Sequence, residues 1–180
     1  MDEHIPDEEV MLNIKKGNLT DMSVLFERYN IRLFNFFLKM GLNRVVSQDL
    51  TQNLFYRMIK YRNSYRTGNS VKSWMYQIAR NLHADHCRMQ KKTDDLLMIT
   101  ENYRFDVSDD ADNYHEDDYK KLEKALAMLS DVQREIIVLS RYQGLKYSEI
   151  SVIVNQSVPA VKVAVYRAIR QLRKIFIRQI

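Results

Sequence analysis

The chain has 180 residues, enough for one compact domain or two small ones, and its 46% hydrophobic content can build a core. Only 4 Gly and 2 Pro argue against a loop-rich β fold, and a single cysteine, Cys87, excludes a disulfide framework or a cysteine-based metal site. The net charge of +5 is unevenly laid out: 15 basic against 9 acidic side chains in residues 1–92, 1 against 10 in 93–119, and 12 against 4 in 120–180. Two basic blocks joined by an acidic run read as two modules sharing a polyanionic partner, or as two ordinary solvated surfaces and a tether. The acidic start, Met1-Asp2-Glu3-His4, has no apolar run behind it. Neither a leader nor a spanning helix is expected, and the expected location is cytoplasmic.

Pro6 and Asp7 open a short helix with acids in its first turn (Glu8, Glu9), lysines at its end (Lys15, Lys16) and Gly17 behind them. A longer helix is predicted from about Leu19 to Met40, stopped by Gly41. Along it Met22, Leu25, Phe26, Tyr29, Leu33, Phe36, Phe37 and Met40 repeat at three- and four-residue steps, a core stripe rather than a cofactor box. Ser47-Gln48-Asp49 reads as the next helix start, with Leu50, Leu54, Met58 and Tyr61 on the buried side. Arg62 to Asn69 is a polar loop rich in turn formers.

A helix then runs from Ser70 to Met89, with Ser70 as its N-cap. Val71, Trp74, Met75, Ile78, Leu82 and Met89 predict its buried face; Ser73, Gln77, Arg80, Ala84 and Arg88 fall on a polar, basic one. These four helices make a first domain, bounded as residues 1–92. Residues 93–119 lack a sustained apolar period and read as an acidic flexible linker, in which Tyr103 and Phe105 can dock locally.

Four more helices complete a second domain, residues 120–180. Leu122, Ala125, Leu126 and Leu129 line the first; Ser130-Asp131 cap the second, which Gly144 ends. A short helix from about Tyr147 to Val154, a turn at Asn155-Gln156-Ser157 and a long basic helix from Val158 form a helix-turn-helix pattern. The inner stripe of the long helix is Val161, Val165, Ile169 or Ala168, Leu172 and Phe176. The fold class is therefore all-α, two small helical domains joined by a linker.

The last helix offers Ala160, Lys162, Val163 and Tyr166 near its start, where a major-groove helix meets base edges, and Arg167, Arg170, Arg173 and Lys174 further on, suited to phosphate. In the polar loop and the helix after it, Asn63, Tyr65, Asn69, Trp74, Gln77, Arg80 and Asn81 put aromatics and amides beside cations, a set that can hold unstacked bases. Physics alone favours Trp74 as a partly buried core residue. His83 and His86 make half a metal site without a second ligand pair, and no phosphate loop or nucleophile elbow is present, so no catalytic, cofactor or metal residue is assigned.

Taken together these stretches resemble the extracytoplasmic-function (group 4) sigma factors of bacterial RNA polymerase. The resemblance is carried by Phe26-Glu27-Arg28-Tyr29, by Asp49-Leu50-Thr51-Gln52-Asn53-Leu54-Phe55, and by Trp74-Met75-Tyr76-Gln77-Ile78-Ala79-Arg80-Asn81 with Asp85. It continues in Leu129-Ser130 with Gln133-Arg134-Glu135, Gly144-Leu145, Tyr147-Ser148-Glu149-Ile150-Ser151, Val161-Lys162, Arg167-Ala168 and Leu172-Arg173.

The resemblance implies a promoter-specificity subunit that binds polymerase core through the β′ clamp helices and β flap. Asp49, Leu50, Gln52, Asn53 and Phe55 would meet the clamp. Arg62, Asn63, Tyr65, Arg66, Asn69, Trp74, Gln77, Arg80 and Asn81 would bind the −10 element, the loop capturing a flipped base and Trp74 assisting melting. Ser157, Ala160, Lys162, Val163, Tyr166, Arg167 and Arg170 would read the −35 element. The linker would thread towards the RNA exit channel. One departure stands out: Val163-Ala164 occupy the place of a Ser-Arg pair common in the family, so the −35 preference is not transferable. With no further C-terminal domain, regulation is expected from an anti-sigma factor; neither membrane insertion nor a homo-oligomer is expected. The competing readings are a stand-alone helix-turn-helix transcriptional regulator, dimeric on a palindrome, and a helical protein or enzyme with no DNA role.

Overall fold

The computed structural model describes residues 5–97 and 116–178, and every regular element among them is helical. The chain divides into two compact units, Met1–Phe37 with Val45–Asn102 and Leu38–Arg44 with Tyr103–Ile180. Residues 38–44 group with the second unit.

The first unit is built on α1 (Asp7–Lys15), α2 (Met22–Lys39), α3 (Arg44–Lys60) and α4 (Val71–Leu97). Single 3₁₀ turns at Leu19–Asp21 and Arg62–Ser64 precede α2 and follow α3. Its core is aromatic and aliphatic: Val10, Met11 and Ile14 from α1, Leu25, Leu33, Phe36 and Phe37 from α2, Leu54 and Met58 from α3, and Val71, Met75 and Tyr76 from α4. Phe36 meets Phe37 and Tyr76 edge-on, with ring centroids 5.4 and 5.6 Å apart. Each large side chain buried this way contributes about 1.5–3 kcal/mol.

Several local expectations change. α3 starts at Arg44 rather than at Ser47, which is buried inside the helix. Phe26 and Tyr61 are exposed, not core, and Met89 is 70% exposed. Ser73, placed on the polar face of α4 by spacing, is buried, as are Tyr76 and Ala79, while Trp74 and Ile78 are half-buried. The packing face of α4 is thus rotated from the one the largest apolar residues suggest, with Ser73, Tyr76 and Ala79 inside where Trp74 and Ile78 were expected. α4 also runs on to Leu97, and the next helix begins at Glu116. Residues 93–97 and 116–119, assigned to the linker from sequence, are helical; the rest of that segment, with Tyr103 and Phe105, lies outside the described residues.

The second unit comprises α5 (Glu116–Ala127), α6 (Asp131–Ile137), α7 (Tyr147–Val154) and α8 (Val158–Ile177). Ser130 caps α6 in a reciprocal box with Gln133, each backbone N–H donating to the other's side chain at 3.4 Å. A wide π turn, Val138–Tyr142, follows α6. α8 packs against α5, α6 and α7. Its buried stripe is Val161, Val165, Ala168 and Ile175; of the predicted stripe, Ile169, Leu172 and Phe176 are only half-buried.

Candidate nucleic-acid and protein interfaces

The turn between α7 and α8 is set by Asn155, which ends α7 in the left-handed region (φ 53°, ψ 51°) that asparagine tolerates better than most residues. The Gln156 N–H reaches the Ser151 carbonyl at 3.0 Å. Ser157 then caps α8, its Oγ accepting from the Ala160 N–H at 3.3 Å, with Pro159 in the first turn. The arrangement presents the start of α8 to solvent. Ser157, Ala160, Lys162, Val163, Tyr166, Arg167 and Arg170 are all exposed, Tyr166 by 66% and Val163 by 48%. Arg173 and Lys174 extend the cationic strip. Ala164 is half-buried, so of the Val163-Ala164 pair only Val163 stands fully outward.

In the first unit the polar loop is short and tightly closed. The Tyr65 ring is 1% exposed, and its hydroxyl donates to the Asn69 carbonyl. Burial pushes the Tyr65 phenol above its usual pKa, and the Glu8 carboxylate adds to the shift. Tyr65 therefore cannot stack a base in this conformation; it frames the loop from below. Trp74 leans on it, ring centroids 5.5 Å apart. Arg62 is partly withdrawn too: Nη1 donates to the Ile59 carbonyl at 2.9 Å, and Nε is buried without a partner. Asn63, Arg66 and Asn69 are exposed on the loop, Asn81 is exposed on α4, and Gln77 and Arg80 are half-buried there. Gly68 has φ +90°, and nothing lies within 4 Å of where a Cβ would stand.

α4 begins with Ser70 as its cap, Oγ accepting from the Ser73 N–H at 3.2 Å. Glu8 of α1 accepts from the Val71 N–H at 3.3 Å, and Lys15 of α1 donates to the Tyr65 carbonyl at 2.7 Å. Sequence reading missed both, since it saw only helix-terminal charges in α1. It also missed Tyr56 and Tyr61, 61% and 49% exposed, with the Lys60 ammonium 5.9 and 5.5 Å from their rings. Their one visible signal is an aromatic–cation alternation running directly into the loop.

On α3, Asp49, Gln52 and Asn53 are exposed and Leu50 is half-buried. Phe55 is 5% exposed and stacks obliquely on Phe26 at 4.9 Å, so it supports this face rather than presenting itself on it. Beside these residues lies a groove of about 270 Å³ between α2 and α3, lined by Phe26, Asn30, Ile31, Phe34, Gln48, Thr51 and Gln52. Among the described residues no group of three or more His, Cys, Asp or Glu is arranged to hold a metal, and no helix is long and apolar enough to cross a membrane.

Residues 25–93 match the family model for sigma-70 region 2, and residues 119–172 that for sigma-70 region 4. The chain is 30% identical over 159 residues to the ECF RNA polymerase sigma factor SigM of Bacillus subtilis, covering 86% of this chain and 94% of that one. It is 28% identical over 151 residues to the RNA polymerase sigma factor CarQ of Myxococcus xanthus, covering 84% and 86%. Among solved structures it is similar to CnrH in complex with the cytosolic domain of CnrY, with a TM-score of 0.73, 20% identity and coverage of 94% and 96%. It is also similar to the sigma factor RpoE in complex with the anti-sigma factor NepR from Bartonella quintana, with a TM-score of 0.70, 24% identity and coverage of 86% and 96%.

Proposed function

The chain belongs to the extracytoplasmic-function sigma factors of RNA polymerase, and from that premise we propose how its two units divide the work of promoter recognition. The second unit places the start of α8 in the major groove of the −35 duplex. Ala160, Lys162, Val163 and Tyr166 meet base edges, Val163 offering an apolar contact to a thymine methyl, while Arg167 and Arg170 grip phosphates. The first unit takes the melted −10 strand. Asn63, Arg66 and Asn69 line the capture loop, with Trp74, Gln77, Arg80 and Asn81 on the adjoining flank of α4; Tyr65 and Arg62 hold the loop's shape. Tyr56, Lys60 and Tyr61 extend that surface with rings and charge suited to single-stranded DNA.

The α3 face of Asp49, Leu50, Gln52 and Asn53, with the groove beside it, receives the β′ clamp helices of the polymerase core, and the second unit meets the β flap. The chain catalyses nothing itself: binding unstacked bases shifts the duplex towards its open form. The work is cytoplasmic, and since the similar RpoE was solved with an anti-sigma factor, a protein of that kind is the proposed regulator here.

The observation that carries this reading is the exposed reading face of α8 on a helix-turn-helix, in the same chain as a loop that exposes Asn63, Arg66 and Asn69. The test is run-off transcription with purified bacterial core, with and without the chain. Transcripts that depend on the chain support it; promoter binding by the free chain as a dimer, with no effect on core, contradicts it. In the same assay Asn81→Ala should change the favoured −10 base and leave core binding intact.

A further inference from the structure

Past Tyr65 the tip of the capture loop has little packing to fix its shape. Arg66, Thr67, Gly68 and Asn69 are four exposed residues in a row, and the space around Gly68 is open. A pocket for one base must nevertheless hold its polar groups in place, because ordering a loose loop at the moment of binding subtracts from both affinity and discrimination. The order comes from the two ends. At the first, the Tyr65 carbonyl accepts from Lys15 Nζ at 2.7 Å, across 50 residues of sequence. At the second, the Val71 N–H donates to Glu8 Oε1 at 3.3 Å, across 63 residues. Between them the Tyr65 hydroxyl closes the loop onto Asn69.

Glu8 and Lys15 are seven residues apart on α1, two helical turns, and so lie on one face. That helix is itself a rigid support. Val10, Met11 and Ile14 are buried, and Asp7 pairs with Arg28 at 2.6 Å and accepts from the Tyr29 hydroxyl. α1 contacts both the 3₁₀ turn at Arg62–Ser64 and α4, the two elements from which the loop springs.

We propose that α1 is the positioning element of the strand-capture loop, with Lys15 and Glu8 bracing its two ends. Discrimination among −10 bases then depends on two side chains that do not touch DNA. The inference rests on the assignment of the loop to −10 capture, and it names Lys15 and Glu8 as positioning residues.

The experiment uses the chain with purified bacterial core on a pool of promoter fragments randomised at the −35 and −10 positions, with transcripts read by sequencing. Lys15→Met should flatten the preference at the captured −10 base by roughly threefold to tenfold, a part of the worth of one charge-assisted bond. Glu8→Ala should do so less, Lys15→Arg should keep most of the preference, and −35 preferences should stay unchanged. In the free chain, amide hydrogens of residues 66–70 should exchange faster in Lys15→Met than in the parent.

An unchanged base preference together with unchanged exchange overturns the proposal. So does a uniform loss of binding with a shallower salt dependence and intact preference, which would mark Lys15 as a direct phosphate contact. If Lys15→Met fails to fold, Glu8→Ala, an exposed side chain, decides the matter by the same two readouts. A parent chain that does not initiate with core overturns the capture assignment itself, and the exchange measurement still decides the brace.

Discussion

The start of α8 and the loop before α4 are both proposed to read promoter DNA, yet they are built by opposite means. The start of α8 is shaped locally. Its cap, proline and turn lie within a few residues, and its reading side chains stand outward on a preformed helix. Past its opening 3₁₀ turn the capture loop has no regular backbone of its own and is braced by residues 50 and 63 positions away. Duplex DNA presents a groove that a helix fits as it stands. A single unstacked base has to be enclosed, and enclosing it takes loop groups held from several directions.

The contrast can be broken at three points. The largest effect is expected at Trp74, which belongs to both the scaffold and the surface. Trp74→Ala should weaken capture by about 1–3 kcal/mol, the range for one base–aromatic stack, measured as permanganate reactivity of opened promoter; Trp74→Phe should recover part of it by keeping a ring against Tyr65. Equal opening by Trp74→Ala and the parent would make Trp74 a packing residue only.

At α8 the effect should be smaller and uniform across sequences. Arg167→Ala or Arg170→Ala should each lower the slope of log affinity against log salt by about 0.9, the change for one phosphate contact, read by promoter binding of the holoenzyme between low and moderate salt. For Lys162→Ala, a change of base preference instead would confirm its assignment to base edges.

The smallest effect concerns Tyr65. Its raised pKa means the folded loop favours the neutral phenol, so its contribution is fully present below the ordinary tyrosine value of about 10 and is lost as pH rises through the raised one. Trp74 is the one tryptophan of the chain and sits against Tyr65, so its emission followed from pH 8 upward should show this step. Tyr65→Phe should remove the step.

The same division decides what could be read from sequence. The α7–α8 turn and the caps at Ser70 and Ser130 depend on neighbours within five residues, and all were legible; the Gln133 half of the box and the cap at Ser157 are equally local but went unnamed. So was the outward face of α8, because its charges and its apolar period fall on opposite sides. Tyr65 and Phe55 were not. Spacing and resemblance place them at a site, but only the fold shows Tyr65 closed under its loop and Phe55 turned onto Phe26. Met89 failed for a related reason. Helical period gives an angle around α4 but not how far along it other elements reach, and past Leu82 its described side chains are half-buried or exposed. The bonds from Lys15 and Glu8 leave no local pattern at all.

α8 keeps its two faces chemically separate. Val161, Val165, Ala168 and Ile175 hold it to the rest of its unit, and none of them is among the residues proposed to meet DNA. Mutational drift can therefore rewrite the promoter code one side chain at a time without lowering the stability of the fold that carries it. A retargeted chain could be evolved in the laboratory by randomising the outward residues alone, whereas the capture loop would have to change together with α1.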